Sequence, residues 1–519
     1  MSDTRLATVR AYHVRSKHAL DRYAAGPATL DWDAQPAAFR DWAGAQQVAL
    51  PRDVAVSGIS WAELSSKRPS LPLNTANLGS LLRLCVGLTA WKEYAGSRWS
   101  LRAHPSSGNL HPTETWLIAA GVTGLDDGLY HYHNLHHALE RRAWNAPAQA
   151  HGAWLGFSSI HWREAWKYGE RAFRYCQLDL GHVLAAVSCA AALHGWQASL
   201  VQADWTAVAH SLGLDREADF AGVEGEEAEV IVALQAADEV LPTDWQHWAG
   251  KPSLLDPHPL YQWPVIEEVA EATRGASPVV GAASAEVAVR GDGGDADAVG
   301  VILRRRSAQA FDGRSMMPSS VFRRLLAALL PGGAPVWKLW PHAARVHPLL
   351  LVHRVEGIEP GLYALPRTAV AKGALQSVLR DTFSWQPADP ELPLFQLVAA
   401  RAGNTARTLS CHQDIASHCA VAFMMVAEFA RPVAADPAAY RHLHWEAGML
   451  GHVVTLEAEA AGWRGTGIGC FFDDADHEVL GLSDDRYQVI YHYAVGMAVD
   501  DPRLQTLPAY EGEGKDGHG

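Results

Sequence analysis

The sequence lacks the features of several protein classes. It has six cysteines in 519 residues, at positions 85, 176, 189, 411, 419 and 470, and no C-x-x-C pair. This spacing argues against a disulfide framework or a thiolate zinc site. Positive charge is also scarce, with 43 Lys and Arg against 57 Asp and Glu. A net charge of −14 argues against nucleic acid or an anionic membrane surface as a partner.

Membrane and targeting segments are also missing from the pattern. No uninterrupted apolar run approaches the ~20 residues of a spanning helix, and the N-terminus has no apolar signal-peptide core. We therefore predict a cytoplasmic protein with no membrane partner. The segment HYHNLHHALE at 131–140 holds four histidines. Their spacing does not place them on one helix face, and we predict no metal site.

The chain repeats itself across its two halves. HPTETWLI at 111–118 corresponds to HPLLLVHR at 347–354, and GLYHY at 128–132 to GLYAL at 361–365. RYCQLDLGHVLAAVSCAAALHGW at 174–196 corresponds to 441–463 without a gap, at an offset of 267. This Ala-rich stretch is typical of a buried central helix. Short Val-, Ile- and Leu-rich runs near 115–120, 229–234, 348–353 and 488–493 predict strands, so we predict an α+β fold with two similar lobes.

A chain of this length is expected to form more than one domain. We predict an N-terminal extension at 1–60, lobe one at 61–240, a linker at 241–300, lobe two at 301–508 and a disordered tail at 509–519. The stretch 274–300 is rich in Gly, Ala, Ser and Asp and lacks aromatic residues, as is typical of mobile linkers.

The two halves retain different polar motifs. Lobe one has PSSGN at 105–109, where lobe two has PHAAR; lobe two has ILRRRSAQAFDG at 302–313 and GTGIGCFFDD at 465–474, which lobe one lacks. Arg305 and Ser307 are spaced to suit a phosphate, although a solvated basic patch also explains that motif. The Ser, Gly and Asn loop suits a flat ligand, or a plain turn. We expect these motifs to share one ligand across the lobe interface, as a fused two-fold pair allows.

Together these strings resemble the nitroreductase superfamily of FMN-dependent oxidoreductases. Within it they resemble the SagB-type branch, the thiazoline and oxazoline dehydrogenases of peptide natural-product pathways. The resemblance covers most of 60–240 and 300–508 and rests on RRRSAQAFD, PSSGNLHP, GLYHY, REAWKYGERAFRY and GIGCFFDD. It implies two fused nitroreductase-like lobes, each a central antiparallel or mixed sheet flanked by helices. They would form an intramolecular pseudo-dimer with one FMN per chain at the interface.

The resemblance also implies a set of cofactor-binding residues. Arg305 and Ser307 would hold the FMN phosphate, with help from Arg503, and Gln309 stands where the family often has a basic residue. The flavin ring would be contacted by the backbone amides of one turn and by the loop of the other lobe: Gly467, Gly469 and Cys470, and Pro105, Ser106, Ser107 and Asn109.

Lys167 and Tyr168 correspond to a Lys-Tyr pair assigned to substrate chemistry in azoline dehydrogenases. Lys167, desolvated by Trp162 and Trp166, would act as the base, with Tyr168 orienting it or relaying the proton. An isolated Lys-Tyr pair is more often a surface Lys and a core Tyr. We predict structural roles for the remaining polar residues of the central helices and a packing role for Cys470, which has no cysteine adjacent in sequence.

These observations predict an FMN-dependent dehydrogenase. It would oxidise a C–N or C–C bond of a small heterocycle or a peptide-borne azoline in natural-product biosynthesis, alongside partner enzymes. An NAD(P)H-dependent nitro or quinone reductase and a flavin-binding scaffold subunit stay open as alternatives. The Lys-Tyr pair favours the first, because a plain reductase needs no substrate base. The sequence leaves open whether the pseudo-dimer is a monomer or pairs further as a homodimer.

Overall fold

The computed structural model describes residues 2–146, 150–235, 237–238, 241–275, 294–340 and 342–510. The helices of this part of the chain are α1 (Ser2–Arg15), α2 (Thr75–Cys85), α3 (His161–Tyr168), α4 (Ala172–Leu193), α5 (Trp205–Leu212), α6 (Pro264–Thr273), α7 (Ala298–Arg304), α8 (Ser319–Leu329), α9 (Val336–Leu339), α10 (Ala371–Gln376), α11 (Gly403–Leu409), α12 (Ile415–His418), α13 (Ala430–Ala435), α14 (Ala439–Ala460) and α15 (Asp473–Leu480).

The strands begin in the N-terminal segment and run to the end of lobe two. They are β1 (Trp42–Ala43), β2 (Gln46–Ala49), β3 (Leu88–Tyr94), β4 (Ser97–Arg102), β5 (Thr113–Ala120), β6 (Gly128–His133), β7 (Ala138–Trp144), β8 (Gly152–Ser159), β9 (Ala198–Leu200), β10 (Glu227–Leu234), β11 (His247–Trp248), β12 (Lys251–Pro252), β13 (Val346–Val352), β14 (Gly361–Ala364), β15 (Gln386–Pro387), β16 (Phe395–Ala399), β17 (Val421–Glu428), β18 (Arg464–Ile468), β19 (Tyr487–Gly496) and β20 (Gln505–Leu507).

Two large antiparallel sheets form the centres of the two lobes. The lobe-one sheet has the order β11-β7-β6-β5-β8-β10-β9, and the lobe-two sheet has the order β15-β16-β14-β13-β17-β19-β18. Five strands correspond, since β6-β5-β8-β10-β9 follows the same path as β14-β13-β17-β19-β18. Strands β5, β10 and β19 contain three of the four predicted strand segments, and β13 contains all of the fourth except its last residue, 353. The predicted α+β fold with two similar lobes is therefore confirmed.

Helices α4 and α14 pack against each other between the sheets and carry the repeat found in the sequence. They cross at Gly181 and Gly448, which are equivalent at the offset of 267. A Cβ on Gly181 would lie 2.2 Å from the carbonyl oxygen of Trp445, and one on Gly448 would lie 2.1 Å from that of Leu178. Only glycine lets the two backbones approach this closely. The equivalent residues of the two halves therefore meet at one point.

One stretch among the described residues, His161–Leu193, is long and apolar enough to cross a membrane by length and composition alone. The sequence analysis missed it because Asp179 and His182 interrupt its apolar run. Its most apolar window is 94% buried inside the molecule, as in the core helix of a globular protein.

The segments outside the two predicted lobes contribute elements to the packed structure. Helix α1 packs against α6, and strand β2 pairs with β7. Helix α6 buries Val269 and Ala270 inside the segment predicted as a linker, and Ala509 and Tyr510 of the predicted tail are buried. Residues 276–293 and 511–519, where we predicted mobile linker and tail, lie outside the described residues. The domain boundaries stay a prediction.

Candidate functional site

A cavity of about 1370 Å³ lies between the lobes. Both lobes and the N-terminal segment line it. All but one of the predicted site residues are among its lining residues: Pro105, Ser106, Ser107, Asn109, Lys167, Tyr168, Arg305, Ser307, Gln309, Gly467, Gly469 and Cys470.

Arg503 is the exception, since it is not among the lining residues, and its role stays a prediction. Its guanidinium forms an ion pair with Asp501 at 2.6 Å, and the side chain is 68% exposed. It also lies within 3.4 Å of the Tyr94 hydroxyl. A neighbour two residues away therefore holds this arginine outside the cavity lining.

Arg305 crosses from lobe two to lobe one. Its buried guanidinium donates from Nε to the carbonyl of Ala103 at 2.8 Å and from Nη2 to that of Arg102 at 2.9 Å. Within the described part of the chain, Nη1 has no hydrogen-bond partner. Arg305 thus fixes the backbone just before the 105–109 loop, and only one of its three nitrogens remains for a ligand.

Four basic side chains line the same cavity as Ser307 and Gln309. These side chains, which we call the basic end, are Lys92, Arg304, Arg306 and Arg464. Lys92 donates to the Thr506 hydroxyl at 2.7 Å, and Arg464 pairs with Asp500. Burial, followed by the charge of Arg305, lowers the pKa of Arg306 to about 10. Cations that lower one another's pKa form a region that favours an anion.

The 105–109 loop is held by Asp179, a residue of α4. Ser106 Oγ donates to the carboxylate at 2.6 Å, Ser107 Oγ at 2.8 Å and Ser107 N at 3.0 Å. Asn109 Nδ2 donates to the carbonyl of Ser100 at 2.9 Å. Both serine hydroxyls therefore donate to Asp179. This contact is a structural role of the kind predicted for the polar residues of the central helices. Burial raises the pKa of Asp179 to about 7 against these hydrogen bonds.

The glycines of the 467–470 turn are required by the tyrosines behind them. A Cβ on Gly467 would lie 2.0 Å from the Tyr491 hydroxyl, and one on Gly469 would lie 2.3 Å from Cε1 of Tyr175. Both tyrosines line the cavity. The glycine-rich turn therefore lets the backbone lie flat against an aromatic wall.

Lys167 and Tyr168 end α3 beside the 105–109 loop. A Cβ on Gly108, whose φ is +57°, would lie 2.5 Å from the Tyr168 hydroxyl. Lys167 Nζ lies 5.7 Å from the centre of the Trp32 ring and 5.3 Å from that of Tyr168. Burial lowers the pKa of Lys167, and Glu164 opposes that shift.

The aromatic neighbours of Lys167 differ from the predicted ones. Trp162 turns away and donates to Asp256 at 2.8 Å. Trp32, from the N-terminal segment, lies over Lys167 and packs edge-on against Trp166 at 5.4 Å. The sequence could not place Trp32 there because more than 130 residues separate it from Lys167.

The N-terminal segment supplies part of the cavity wall that the sequence analysis missed. Arg15 Nε donates to Glu170 Oε2 at 2.7 Å, and the Tyr12 hydroxyl donates to the Glu170 carbonyl at 2.8 Å. These contacts hold the following segment over the α3–α4 junction. The wall residues that it supplies are His18, Tyr23, Ala24, Gly26 and Pro27.

The histidine-rich segment forms a separate cluster on lobe one. His133 and His136 bring their ring nitrogens within 4.8 Å of each other and of an Asp41 oxygen. The two rings stack at 4.5 Å, and His133 Nε2 already bonds Asp41 at 2.8 Å. Parallel rings do not aim their nitrogens at one ion. Our prediction of no metal site stays a prediction.

Comparison with known proteins gives the family context of this cavity. Residues 302–497 match the model of the Nitroreductase family, and the chain matches no curated protein. The structure of a candidate nitroreductase from Anabaena variabilis superposes with a TM-score of 0.69 at 21% identity, covering 95% of this chain and 99% of that one. Both lobes therefore have the nitroreductase fold, and the predicted fold is confirmed.

Two further solved structures match only part of the chain. The E. coli microcin synthetase McbBCD complex with truncated pro-MccB17 has a TM-score of 0.26 at 18% identity, covering 46% of this chain and 94% of that one. The NADPH:FMN oxidoreductase from Vibrio harveyi has a TM-score of 0.25 at 14% identity, covering 43% and 79%.

The pKa of Asp179 predicts an unusual pH dependence of stability for the variant Asp179→Asn. The folded-state pKa is about 7, and the unfolded value is about 4. Between these values the folded protein keeps a proton that the unfolded chain has lost, so this group destabilises the parent as the pH rises. We expect the Tm of the variant minus that of the parent to increase over this window, measured by thermal unfolding.

Asp312→Asn is the matched control. The pKa of Asp312 is lowered to about 2 by hydrogen bonds from Ser315 and the backbone, so it is ionised in both states above pH about 5. Its Tm difference from the parent should be constant from there to pH about 8. A difference for Asp179→Asn that stays flat or falls with pH would contradict the assignment.

Proposed function

We propose that the protein is an FMN-dependent oxidoreductase with one flavin in the cavity between its lobes. The observation that carries the proposal is that motifs retained by different halves line the same cavity. Lobe one supplies the 105–109 loop and the Lys-Tyr pair, and lobe two supplies the 305–309 segment and the 467–470 turn. The match of 302–497 to the Nitroreductase family supports the same reading.

The residues present fit the two ends of FMN. The basic end offers cations and the Ser307 hydroxyl to a phosphate. Arg305 can add its unpartnered Nη1, while its other two nitrogens hold lobe one. The volume of about 1370 Å³ exceeds the 300–1,000 Å³ of common ligand pockets, which leaves room for a second molecule beside a flavin.

The ring would lie against backbone and aromatic surface rather than against hydroxyl groups. Gly467 and Gly469 expose their backbone on one side, because no side chain covers it. The 105–109 loop faces the same cavity from lobe one, with its serine hydroxyls turned to Asp179. The loop therefore contributes a fixed shape, and Asp179 acts as its positioning residue.

Packing in the other half supports one flavin rather than two. Strand β9 corresponds to β18, whose Gly467 lines the cavity. Helix α9 packs against β9 and α4, and its Val336 and Leu339 are buried. Helix α9 therefore fills the space beside β9, the strand that would have supplied the turn of a second flavin site.

We propose the SagB-type dehydrogenase reaction as the finer assignment. FMN, when bound, accepts a hydride at its N5 atom. Lys167 would take the proton from the adjacent substrate atom, since burial lowers its pKa and so favours the neutral amine. Tyr168 would fix the geometry between Lys167 and the loop. The Lys-Tyr pair suits a small heterocycle or a peptide-borne azoline as substrate. Such a substrate would be made by other biosynthetic enzymes, which we propose as partners.

Charge reversal at the basic end tests the phosphate assignment. Arg304→Glu and Arg464→Glu should each weaken FMN binding by about tenfold or more, because each removes a cation from the phosphate region. Riboflavin lacks the phosphate, so its affinity should not change. Flavin fluorescence quenching measures both. Arg314→Glu, an exposed arginine outside the cavity lining, is the control. An equal loss for both ligands, or for neither, would contradict the assignment.

Lys167→Met tests the base. The variant should bind FMN and lose turnover of a synthetic thiazoline by about 10²–10⁴-fold, since general base catalysis contributes that much. Anaerobic loss of flavin absorbance on adding the thiazoline measures the chemical step, and Lys338→Met on α9 is the matched control. Full activity in Lys167→Met would remove the assigned base.

The same assay separates the alternative functions. Loss of flavin absorbance with NAD(P)H but not with the thiazoline would favour the reductase. A protein that binds no flavin would favour the scaffold subunit.

A further inference from the structure

Two cysteines that are far apart in sequence meet in the cavity wall. Cys411 follows α11 and Cys470 precedes α15, and both line the cavity half-buried. Each side chain lies close enough to the other to shift its pKa. The other four cysteines, at 85, 176, 189 and 419, are buried. The sequence analysis assigned Cys470 a packing role because it saw no second cysteine nearby, and the fold supplies one.

The backbone holds the two cysteine segments together. Phe472 N donates to the carbonyl of Leu409 at 2.8 Å, and Gln413 Nε2 donates to the carbonyl of Cys470 at 3.2 Å. Cys411 and His412 both have positive φ, at 52° and 60°. Consecutive non-glycine residues in this region are strained, and such strain is found most often at functional sites. The backbone therefore holds the two cysteine segments side by side in the cavity wall.

The two sulfurs are inequivalent. The hydrogen bond from Cys411, followed by one from His18, lowers the pKa of Cys470 to about 5 although burial opposes the shift. The same hydrogen bond, followed by burial, raises the pKa of Cys411. These opposite shifts favour Cys470 as the thiolate and Cys411 as the neutral thiol beside it.

His18 is held in the form that supports this thiolate. Its Nδ1 accepts a hydrogen bond from Ala24 N at 2.9 Å, so the neutral ring carries its proton on Nε2. Its backbone is fixed to α15, because Asp473 N donates to the His18 carbonyl at 3.0 Å. Burial, the largest effect, lowers the pKa of His18 itself. The imidazole is thus a neutral donor to Cys470.

The other ionisable groups around the pair come from several elements. Arg171, which directly precedes α4, adds positive charge near Cys470, and its Nη1 pairs with Asp473 Oδ2 at 2.8 Å. Asp473 also pairs with Arg174 at 2.7 Å. The ionisable groups that face the two sulfurs are His18 and Tyr23 from the N-terminal segment, Tyr168 from α3, Arg171 just before α4, Tyr175 from α4, and Asp473 from α15.

We propose that Cys470 and Cys411 form a peroxide-reactive pair, in which Cys470 is oxidised by a hydroperoxide and Cys411 closes a disulfide with it. A half-exposed thiolate beside a second thiol is the arrangement that redox-sensing cysteines use. The pair is a modification site in the wall of the cavity. Formation of the disulfide would change the shape of the 467–470 turn when a hydroperoxide is present.

The reaction balances with the hydroperoxide as the oxidant. The Cys470 thiolate attacks one peroxide oxygen, the O–O bond breaks, and the departing oxygen takes a proton to leave as water or an alcohol. Cys470 is then a sulfenic acid, oxidised by two electrons. The Cys411 sulfur attacks that sulfur, the S–S bond forms, the S–O bond breaks, and hydroxide leaves with the Cys411 proton as water.

Peptide mapping of the full-length protein tests the pair directly. The reduced protein is treated with an equimolar amount of hydrogen peroxide, alkylated with iodoacetamide and digested without reductant. Mass spectrometry should find the peptide containing Cys411 linked to the one containing Cys470, with the other four cysteines alkylated. Six alkylated cysteines, or oxidation spread over all six, would overturn the proposal. The result does not depend on bound flavin, because only sulfur chemistry is read.

Single variants separate the two roles. In Cys411→Ser the sulfenic acid of Cys470 has no thiol to react with, so dimedone should label Cys470. In Cys470→Ser neither dimedone labelling nor a disulfide at Cys411 should form. Cys189→Ser, which removes a buried cysteine outside the cavity lining, should retain the Cys411–Cys470 link. Dimedone labelling of Cys411 in Cys470→Ser would contradict the order of attack.

The pH dependence of alkylation tests the thiolate without any substitution. In the reduced parent protein, the rate at which iodoacetamide modifies Cys470 should be half-maximal near pH 5, the pKa of about 5 given by its surroundings. The rate should then be constant from pH about 6 to 8, since the thiolate is the reacting form. A midpoint near the ordinary value of about 8.5 would overturn the assignment of Cys470 as the reactive sulfur.

Discussion

The crossing of α4 and α14 at Gly181 and Gly448 is the contact on which the rest of the structure depends. With no side chain at either position, the two backbones come within van der Waals distance. That approach sets the separation of the two sheets and brings Asp179 from one helix and Glu459 from the other to the same cavity. A larger residue at the crossing would move both walls, because each helix carries residues of its own lobe.

A symmetric frame supports an asymmetric site. On lobe one, Asp179 fixes the loop before β5 by accepting from two serine hydroxyls and a backbone N–H. Its equivalent, Glu446, accepts from Arg345 N before β13 and pairs with Arg367. The same acid position thus organises a loop open to the cavity in one half and a buried ion pair in the other. The polar motifs of the two halves diverged around a shared scaffold.

Much of the fold could be predicted from the sequence because the repeat has no gap in the two central helices. An offset of 267 held over 23 residues identifies two equivalent helices, and buried strands read as short apolar runs. Strands β8 and β17 were not predicted, because their sequences share no motif by which the two halves could be aligned there. Residues of the cavity lining were predicted from motifs that are present in one half and absent from the other.

The directions and distant partners of side chains could not be predicted. Arg305 was assigned to a phosphate, but its Nε and Nη2 bond carbonyls some 200 residues away. Arg503 was assigned to the same ligand, and its ion pair with Asp501 could not be predicted. Trp32 lies over Lys167, and Cys411 lies beside Cys470, only because the chain folds back across the cavity. Such contacts depend on tertiary structure, which a local pattern does not encode.

The central claim is that two fused lobes keep one flavin cleft built from both. Titration of the flavin-free protein with FMN, followed by flavin fluorescence at a protein concentration well above Kd, tests it most directly. The account predicts a break at one FMN per chain. A break at two would show that both duplicated positions bind the cofactor and would contradict the account.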